Sequence, residues 1–296
     1  MSDPGRAQSR RSFYTGGMTS IATSDGLTLQ LRSWSLAGPV RGTVIIVHGL
    51  GEHIGRYAHV AAYLNACGWA VVGYDQRGHG KSEGARGALA EPDSLLQDLA
   101  LVIDTVRSAS AQPLLLLGHS MGGAVAGRFV AEALADAPAP WWRQLDGLVL
   151  SSPALDPGMN PVQKLLLALT ERIVPNLPLS NGLKAEWISC DPAVVEAYQG
   201  DPLVHDRITP RLVRFIVDSG ALVRARAARW ALPTLLLYAG ADRCVAASGS
   251  DAFAKRAPKV ALQNQRFETL SHEIFNEPEQ LAVLAVLGQW LAARGH

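Results

Sequence analysis

The sequence predicts a doubly wound α/β fold, in which a mostly parallel sheet carries helices on both faces. Three observations predict it. Short, almost wholly apolar runs end in glycine, aspartate or serine-proline, as strands buried on both faces do. Stretches long enough for crossover helices lie between these runs. One long segment without this alternation indicates an inserted unit.

The predicted elements follow one another in a regular order. Strands are predicted at residues 28–34, 43–47, 70–74, 114–117 and 147–150, with helices between them at 56–67, 94–108 and 121–135. After the insertion come a strand at 234–239, a helix at 248–257, a strand at 261–267 and an amphipathic helix at 278–293. The helices are long enough for right-handed crossovers between parallel strands.

These elements divide the chain into four segments. Residues 1–17 form a predicted disordered tail, 18–155 the first part of the core, 156–229 a helical cap and 230–296 the second part of the core. In the cap, proline-bounded helical stretches follow one another without a predicted strand. The arginines of the tail, Arg6, Arg10 and Arg11, are not followed by the apolar stretch of a secretory signal.

Composition excludes several classes of protein. Hydrophobic residues make up 48% of 296 residues and charged residues 18%, which favours a large buried core over disorder. The net charge is +1, so we expect no nucleic-acid partner. The three cysteines lack CxxC spacing, and the apolar runs are shorter than the ~18 residues of a membrane span. We expect a soluble cytoplasmic protein.

A nucleophile elbow is predicted at Gly118–Gly122, which reads G-H-S-M-G. It follows a buried strand and opens a helix of small residues, as the G-x-S-x-G motif requires. Glycines on both sides allow the strained backbone at Ser120, and the helix N-terminus favours developing negative charge. An ordinary serine-capped turn is the alternative.

A base and an acid are predicted at the ends of two later strands. Asp242 follows the strand at 234–239, and His272 follows the strand at 261–267. The order Ser120, Asp242, His272 is the order that accompanies this elbow. Asp206 is the weaker rival for the acid, while Asp218 and Asp251 lie in helical, solvated surroundings.

The other histidines are weaker candidates for the base. His119 belongs to the elbow, and His48, His53 and His79 lie on early loops. Lone surface positions are expected for the remaining three, which are His59, His205 and His296.

Two backbone amides are predicted to bind the oxyanion. The glycine-rich turn at 48–51 follows an early strand, so the amide of Leu50 can face the serine, and the amide of Met121 is the second donor. A glycine-rich turn without a ligand is the alternative.

Two partial motifs are rejected. Gly80-Lys81-Ser82 ends like a phosphate-binding loop, but Asp75 stands where that motif needs glycine. His272-Glu273 begins like H-E-x-x-H, but Asn276 replaces the second histidine. Neither a nucleotide site nor a zinc peptidase is predicted.

With these motifs placed, the chain resembles the monoacylglycerol lipase family of serine α/β-hydrolases from about residue 18 to 291. The narrowest motifs are H-G-L-G-E-H at 48–53 and H-E-I-F-N-E at 272–277; the others are R-Y at 56–57, D-Q-R-G-H-G-K-S at 75–82, the elbow, S-S-P-A at 151–154 and D-P-L-V at 201–204. The resemblance implies an α/β-hydrolase fold with Ser120 as nucleophile, Asp242 as acid and His272 as base.

The resemblance also implies cleavage of long-chain monoacylglycerols without metal or cofactor, and contact of the cap with membrane surfaces. Leu50 stands where the family usually has a small or other apolar residue, which affects pocket shape more than chemistry. Six residues are predicted to contact substrate: Glu52, His53, Arg56, Leu165, Leu166 and Leu169.

Three alternatives remain open. The cap residues Val162, Leu165, Leu166, Leu169 and Ile173 recur at helical spacing, so their face either lines an acyl tunnel or bilayer contact or packs on the core. A short-chain carboxylesterase or lysophospholipase, or a catalytically silent lipid-binding protein of this fold, competes with the lipase. Cys244, two residues after the predicted acid, is either thiol-reactive or an inert buried hydrophobe. The sequence leaves the oligomeric state open.

Overall fold

A computed structural model describes residues 16–34, 36 and 38–294. Most of the predicted tail, with its arginines, therefore lies outside the described residues, as does His296. The strands are β1 Gly17–Ala22, β2 Thr28–Trp34, β3 Gly42–Val47, β4 Trp69–Tyr74, β5 Leu114–His119, β6 Gly147–Ser151, β7 Leu179–Ser180, β8 Arg207–Ile208, β9 Thr234–Ala239 and β10 Leu262–Phe267.

Eight α-helices lie among the described residues. They are α1 Ala58–Ala66, α2 Ser94–Ala109, α3 Met121–Ala131, α4 Pro161–Ile173, α5 Pro192–Gly200, α6 Pro210–Arg226, α7 Ala247–Arg256 and α8 Gln280–Ala292. Short 3₁₀ turns occupy Ile54–Tyr57, Glu132–Leu134, Ala185–Trp187 and Ala227–Arg229. In the described part of the chain, no helix has the length and apolar content that crossing a bilayer requires.

The strands β1-β2-β4-β3-β5-β6-β9-β10 form one sheet in that order. The pairs β1–β2 and β2–β4 are antiparallel, and the other pairs are parallel. Strands β3, β4, β5, β6 and β9 are buried at every position, because helices cover both faces of the sheet. The predicted doubly wound α/β fold is confirmed.

Each face of the sheet has its own hydrophobic core. One core packs α2, α3, α6 and α7 against residues such as Ile45 and Leu116, and the other packs α1 and α8 against Val44 and Leu117. Alternate residues of β3 and β5 thus serve opposite cores, as the two-residue period of a strand requires. The carboxyl ends of these strands meet at one edge, where the loops carrying the polar motifs lie.

Two strand pairings, one in this sheet and one in a separate two-stranded sheet, were not predicted. Strand β1 pairs with β2 from Gly17 onward, but its residues are mostly exposed, so no alternating pattern marks it. Within the insertion, β7 and β8 pair antiparallel. The prediction of an insertion without strands was wrong there, since two-residue strands are too short to carry a periodic pattern.

Candidate active site

The backbone at Ser120 is strained. Its φ is 54° and its ψ −120°, in a left-handed region that non-glycine residues rarely adopt. Both flanking glycines are required by close approach: a Cβ on Gly118 would lie 2.5 Å from the carbonyl oxygen of Gly122, and one on Gly122 would lie 2.1 Å from that of Val47. The turn projects Ser120 at the start of α3, whose N-terminus favours negative charge.

The three residues predicted to act together lie in one hydrogen-bonded chain. His272 Nε2 is 2.8 Å from Ser120 Oγ, and His272 Nδ1 is 2.7 Å from Asp242 Oδ2. Neutral His272 with its proton on Nδ1 donates to the carboxylate and accepts from the hydroxyl. The arrangement can therefore deprotonate the serine.

Burial and charge set the protonation of this chain. Burial lowers the pKa of His272, but the charge of Asp242 and the hydrogen bond to it raise that pKa above its ordinary value. Burial raises the pKa of Asp242, but His272 and the backbone amides of Val245 and Cys244 lower it overall. Asp242 is therefore ionised wherever His272 works as a base.

His119 packs beside the predicted base without sharing its role. Its ring centroid is 4.9 Å from that of His272, and its Nδ1 is 3.1 Å from Ser151 Oγ. Burial, with a contribution from the charge of His272, lowers the pKa of His119 to about 3. It stays neutral and adds no competing charge.

Two of the other histidines considered for the base have hydrogen-bonding partners outside the site. His59 lies 2.8 Å from the carbonyl oxygen of Phe275, and His205 lies 3.1 Å from that of Gly78 and 4.7 Å, ring to ring, from His79. The expectation of lone surface positions for His59 and His205 was therefore wrong.

The rival acids also have partners of their own. Asp206 pairs with Arg207, Asp218 with Arg214, and Asp251 with Arg266. All three are surface pairs, so they leave Asp242 as the carboxylate at His272.

The predicted oxyanion donors lie close to the serine. Leu50 and Met121 both line the cavity into which Ser120 projects. A Cβ on Gly49 would lie 3.2 Å from Ser120 Cβ, and Gly51 adopts a φ of +76°. The glycines thus bring the 48–51 turn against the elbow, where backbone amides can face a developing oxyanion.

A buried network of charged side chains is hydrogen-bonded to the turn at residues 48–51. Glu52 accepts hydrogen bonds from the amide of Gly49, at 2.5 Å, and from the hydroxyl of Tyr57, at 2.7 Å. Arg56 donates to Glu52 at 2.9 Å and, through both Nη atoms, to the carboxylate of Glu273 at 2.5 and 2.7 Å. Arg56 therefore joins the oxyanion turn to the residue that follows the predicted base.

These contacts change the assignment of three predicted substrate residues. Glu52 and Arg56 belong to the network, and His53 Nε2 is 2.8 Å from Asp201 Oδ2. None of the three is among the residues that line the cavity. Glu52 and Arg56 are spaced i, i+4, which indicates an ion pair; the partner Glu273 is remote in sequence, so no local pattern reveals it.

The cavity at Ser120 has a volume of about 420 Å³. Its wall includes Leu50, Ser120 and Met121 from the core and apolar side chains of α4 and α6. Among the described residues that line it, not one is Asp, Glu, Lys, Arg or His; the polar ones are Ser120, Gln163, Thr170, Ser180, Asn181, Thr209 and Cys244. Such a cavity favours an uncharged, largely apolar ligand.

The predicted cap leucines of α4 are all exposed, but they differ in their contact with the cavity. Leu165, Leu166 and Leu169 are 63%, 59% and 51% exposed, and of the three only Leu166 lines the cavity. Their exposed apolar neighbours in the cap are Val162, Ile173, Val174, Leu177, Leu179 and Leu183. Five of the exposed apolar side chains of the cap, those at 162, 165, 166, 169 and 173, lie on α4, which therefore presents apolar side chains to solvent.

Cys244 lies in the cavity wall beside the predicted acid. Burial and the charge of Asp242 raise the pKa of its thiol well above the ordinary value. The thiolate fraction at neutral pH is accordingly small, which disfavours nucleophilic reactivity.

Comparisons with known proteins give consistent matches. A family model described as serine aminopeptidase, S33, matches residues 38–279. A monoacylglycerol lipase of Mycolicibacterium smegmatis is 32% identical over 278 residues, covering 93% of this chain and 96% of the relative. A phospholipase of Bacillus subtilis is 31% identical over 257 residues, covering 84% and 93%. The crystal structure of a monoacylglycerol lipase from Paleococcus ferrophilus has a TM-score of 0.77 and 34% identity, covering 90% and 98%.

Proposed function

Because the chain belongs to the serine aminopeptidase S33 family of α/β-hydrolases, we propose that it cleaves long-chain monoacylglycerols to glycerol and fatty acid. The matches confirm the resemblance that the motifs predicted, and the chain is a carboxylic-ester hydrolase. The narrower substrate rests above all on one observation: the wall of the cavity at Ser120 is mostly apolar and has no charged side chain among its described lining residues.

The proposed reaction proceeds through an acyl-enzyme. His272 takes the proton of Ser120 while Oγ attacks the ester carbonyl, and the amides of Leu50 and Met121 bind the oxyanion. The tetrahedral intermediate collapses as His272 returns the proton to the glycerol oxygen, which leaves. A water deprotonated by His272 then attacks the acyl-enzyme and releases the fatty acid. Asp242 holds the imidazole and stabilises its charged form.

The uncharged wall of the cavity favours substrates with a neutral polar group over substrates with a charged one. An aminopeptidase must pair the ammonium group of its substrate with a carboxylate, and a lysophospholipase must offer a cation to a phosphate. The cavity wall supplies neither among the described residues. Glycerol, by contrast, needs only neutral hydrogen-bonding groups.

A lysophospholipase is the second candidate, because one relative is named a phospholipase. A charged head group would then have to lie outside the cavity mouth, in water. A short-chain carboxylesterase would use the same reaction, but its short acyl group would leave most of the apolar cavity wall without contact to substrate. A catalytically silent lipid-binding protein requires that the hydrogen bonds linking Ser120 through His272 to Asp242 serve no reaction.

We further propose that the exposed side chains of α4 touch the surface of a membrane or lipid aggregate. Leu165, Leu169 and Ile173 are largely exposed and do not line the cavity. Leu166 of the same helix is also exposed and does line it. The helix thus joins a lipid-facing surface to the substrate cavity. A cytoplasmic enzyme that works peripherally at membranes fits this arrangement.

The test is a panel of substrates with the wild type and Ser120→Ala. It comprises a long-chain monoacylglycerol, a diacylglycerol, a lysophospholipid and a short-chain ester. The proposal expects the monoacylglycerol to turn over fastest and the variant to be inactive on all four. Preference for the lysophospholipid or for the short ester would reject the lipase and keep the mechanism. No turnover, with no labelling of folded protein by a fluorophosphonate, would favour the silent binder.

A further inference from the structure

Three metal-binding donors converge beside the nucleophile. One ligand atom each from Asp242, Cys244 and His272 lies within 4.8 Å of the other two. Among the described residues, this is the group of three His, Cys, Asp or Glu side chains that meets this spacing. We propose that these residues form an inhibitory site for a divalent cation that prefers sulfur and nitrogen ligands, with Zn²⁺ as the type.

The donors match that class of ion. Thiolate, imidazole and carboxylate are the ligands that Zn²⁺ takes in proteins, at about 2.0 to 2.3 Å, and three protein ligands with one open position are typical of its accessible sites. One carboxylate and one thiolate balance the double positive charge. Harder ions such as Mg²⁺ prefer oxygen ligands throughout, so the site discriminates against them.

The surroundings already orient the ligands. The amides of Cys244 and Val245 donate to Asp242 Oδ1 at 2.8 and 3.0 Å, which fixes the carboxylate and leaves Oδ2 directed at His272 Nδ1, 2.7 Å away. Such hydrogen bonds around a ligand raise metal affinity. An ion takes the place of the proton between Oδ2 and Nδ1, the carboxylate and the imidazole move apart to about 3.3 Å to hold it in tetrahedral geometry, and the thiol closes in.

The cavity gives the ion a route to the cluster. Cys244 lines the same cavity as Ser120, so a cation from solvent reaches the sulfur first. The open coordination position then faces the cavity and takes water. The site combines an entry path with three protein ligands, which are the features expected of a real metal site.

Binding has a definite consequence for the proposed reaction. The cation forms bonds to Oδ2, Sγ and Nδ1, the thiol proton goes to solvent, and neutral His272 now carries its proton on Nε2. Nε2–H can donate to Ser120 but can no longer accept its proton, so the serine is not activated. This inhibitory effect rests on the proposed function of the three residues, whereas the binding itself does not.

Cobalt absorption tests binding separately from activity. Co²⁺ added to the wild type is expected to bind 1:1 with a thiolate-to-cobalt absorption band. The band is expected to disappear in Cys244→Ala and to persist in Cys67→Ala and Cys190→Ala, whose thiols lie elsewhere. Cys244→Ser is the second variant if the alanine variant does not fold.

Zinc inhibition supplies the functional half of the test. Each variant is compared with its own metal-free rate on a short soluble ester. At least a tenfold higher Zn²⁺ concentration is expected for half-inhibition of Cys244→Ala than of the wild type, and a chelator should restore the wild-type rate. Absence of the thiolate–cobalt band, or equal inhibition of both proteins, overturns the proposal. A metal-free wild type that fails to hydrolyse esters rejects the proposed function, and the cobalt band still decides the metal site.

Discussion

The loops at the sheet edge and the cap helix α4 both line one cavity, and their side chains are partnered in different ways. At the sheet edge, Arg56 is hydrogen-bonded to Glu52 and His272 to Asp242, and none of these four side chains is more than 12% exposed. On the cap side, α4 exposes leucines, isoleucine and valine. The difference fits the proposed function, in which the catalytic groups are fixed before substrate binds and the cap contacts the acyl chain and the lipid surface that supplies it.

The largest expected effect is on the sheet side, from Asp242→Asn. The substitution keeps size but removes the acceptor that holds His272 with its proton on Nδ1, so the wrong tautomer faces Ser120. We expect kcat to fall about 10⁴-fold on every ester, with little change in KM. Steady-state hydrolysis of a short soluble ester by the wild type and the variant measures this fall in kcat. A fall of less than tenfold would show that a residue other than Asp242 is the acid of the triad.

Arg56→Ala tests whether the buried network orients the site. The arginine side chain is 12% exposed, and its partners Glu52 and Glu273 are 4% and 6% exposed, so both carboxylates would be left buried without their cation. We expect a loss of ~3–5 kcal/mol in the free energy of unfolding and a lower kcat on short and long esters alike.

The matched control for this variant is Arg143→Ala. Arg143 pairs with Asp104, but the two side chains are 36% and 49% exposed, and an exposed pair contributes at most about 1 kcal/mol. Urea denaturation of both variants, with kcat measured in parallel, decides the matter. Equal losses in the free energy of unfolding for Arg56→Ala and Arg143→Ala would show that the buried network does not stabilise the site.

The pH dependence follows from the raised pKa of His272. Neutral His272 is the active form, so kcat/KM on a soluble ester should rise with pH, about tenfold per unit, to a midpoint above the ordinary value of 6.5. Protonation also stabilises the fold: this contribution is complete below about pH 6.5 and is lost as pH rises through the folded-state pKa. NMR titration of the imidazole should show the midpoint falling in Asp242→Asn; a wild-type midpoint below 6.5 would contradict the coupling.

The smallest effect is expected on the cap side. Replacing Leu165 and Leu169 with serine removes two outward-facing apolar side chains, so binding to phospholipid vesicles should weaken about tenfold, because each leucine contributes part of the ~1.5–3 kcal/mol of full burial. Leu281→Ser, on α8 and 75% exposed, is the control and should bind vesicles as the wild type does. Co-sedimentation measures both, and equal binding by all three proteins would remove α4 as the contact surface.

The sequence revealed the sheet and its catalytic candidates because both depend on local pattern. Strands β3, β5 and β9 are almost continuous apolar runs. Ser120 follows β5 directly, and Asp242 lies three residues after the end of β9. His272 follows β10, which is recognisable by its spacing from β9 although its middle is exposed. Motifs at strand ends are predictable because parallel strands bring their carboxyl ends to one edge.

The remaining features depend on contacts between distant segments. Glu273 lies 217 residues from Arg56, so the network that contains Glu52 could not be inferred from spacing alone. The side of α4 that faces the cavity is set by packing against α6. Helical spacing made Leu165, Leu166 and Leu169 equivalent, whereas in the structure only Leu166 of these lines the cavity, although all three are exposed.

The proposed division of roles, with catalysis at the sheet edge and lipid contact at α4, is tested most directly by one ratio of rates. We would measure the rate on a vesicle-borne long-chain monoacylglycerol divided by the rate on a water-soluble short ester, for the wild type, Arg56→Ala and the Leu165→Ser/Leu169→Ser double variant. The ratio should stay constant in Arg56→Ala, where both rates fall, and drop about tenfold in the double variant, where only the vesicle rate falls. A constant ratio in the double variant, or a changed ratio in Arg56→Ala, would contradict the division.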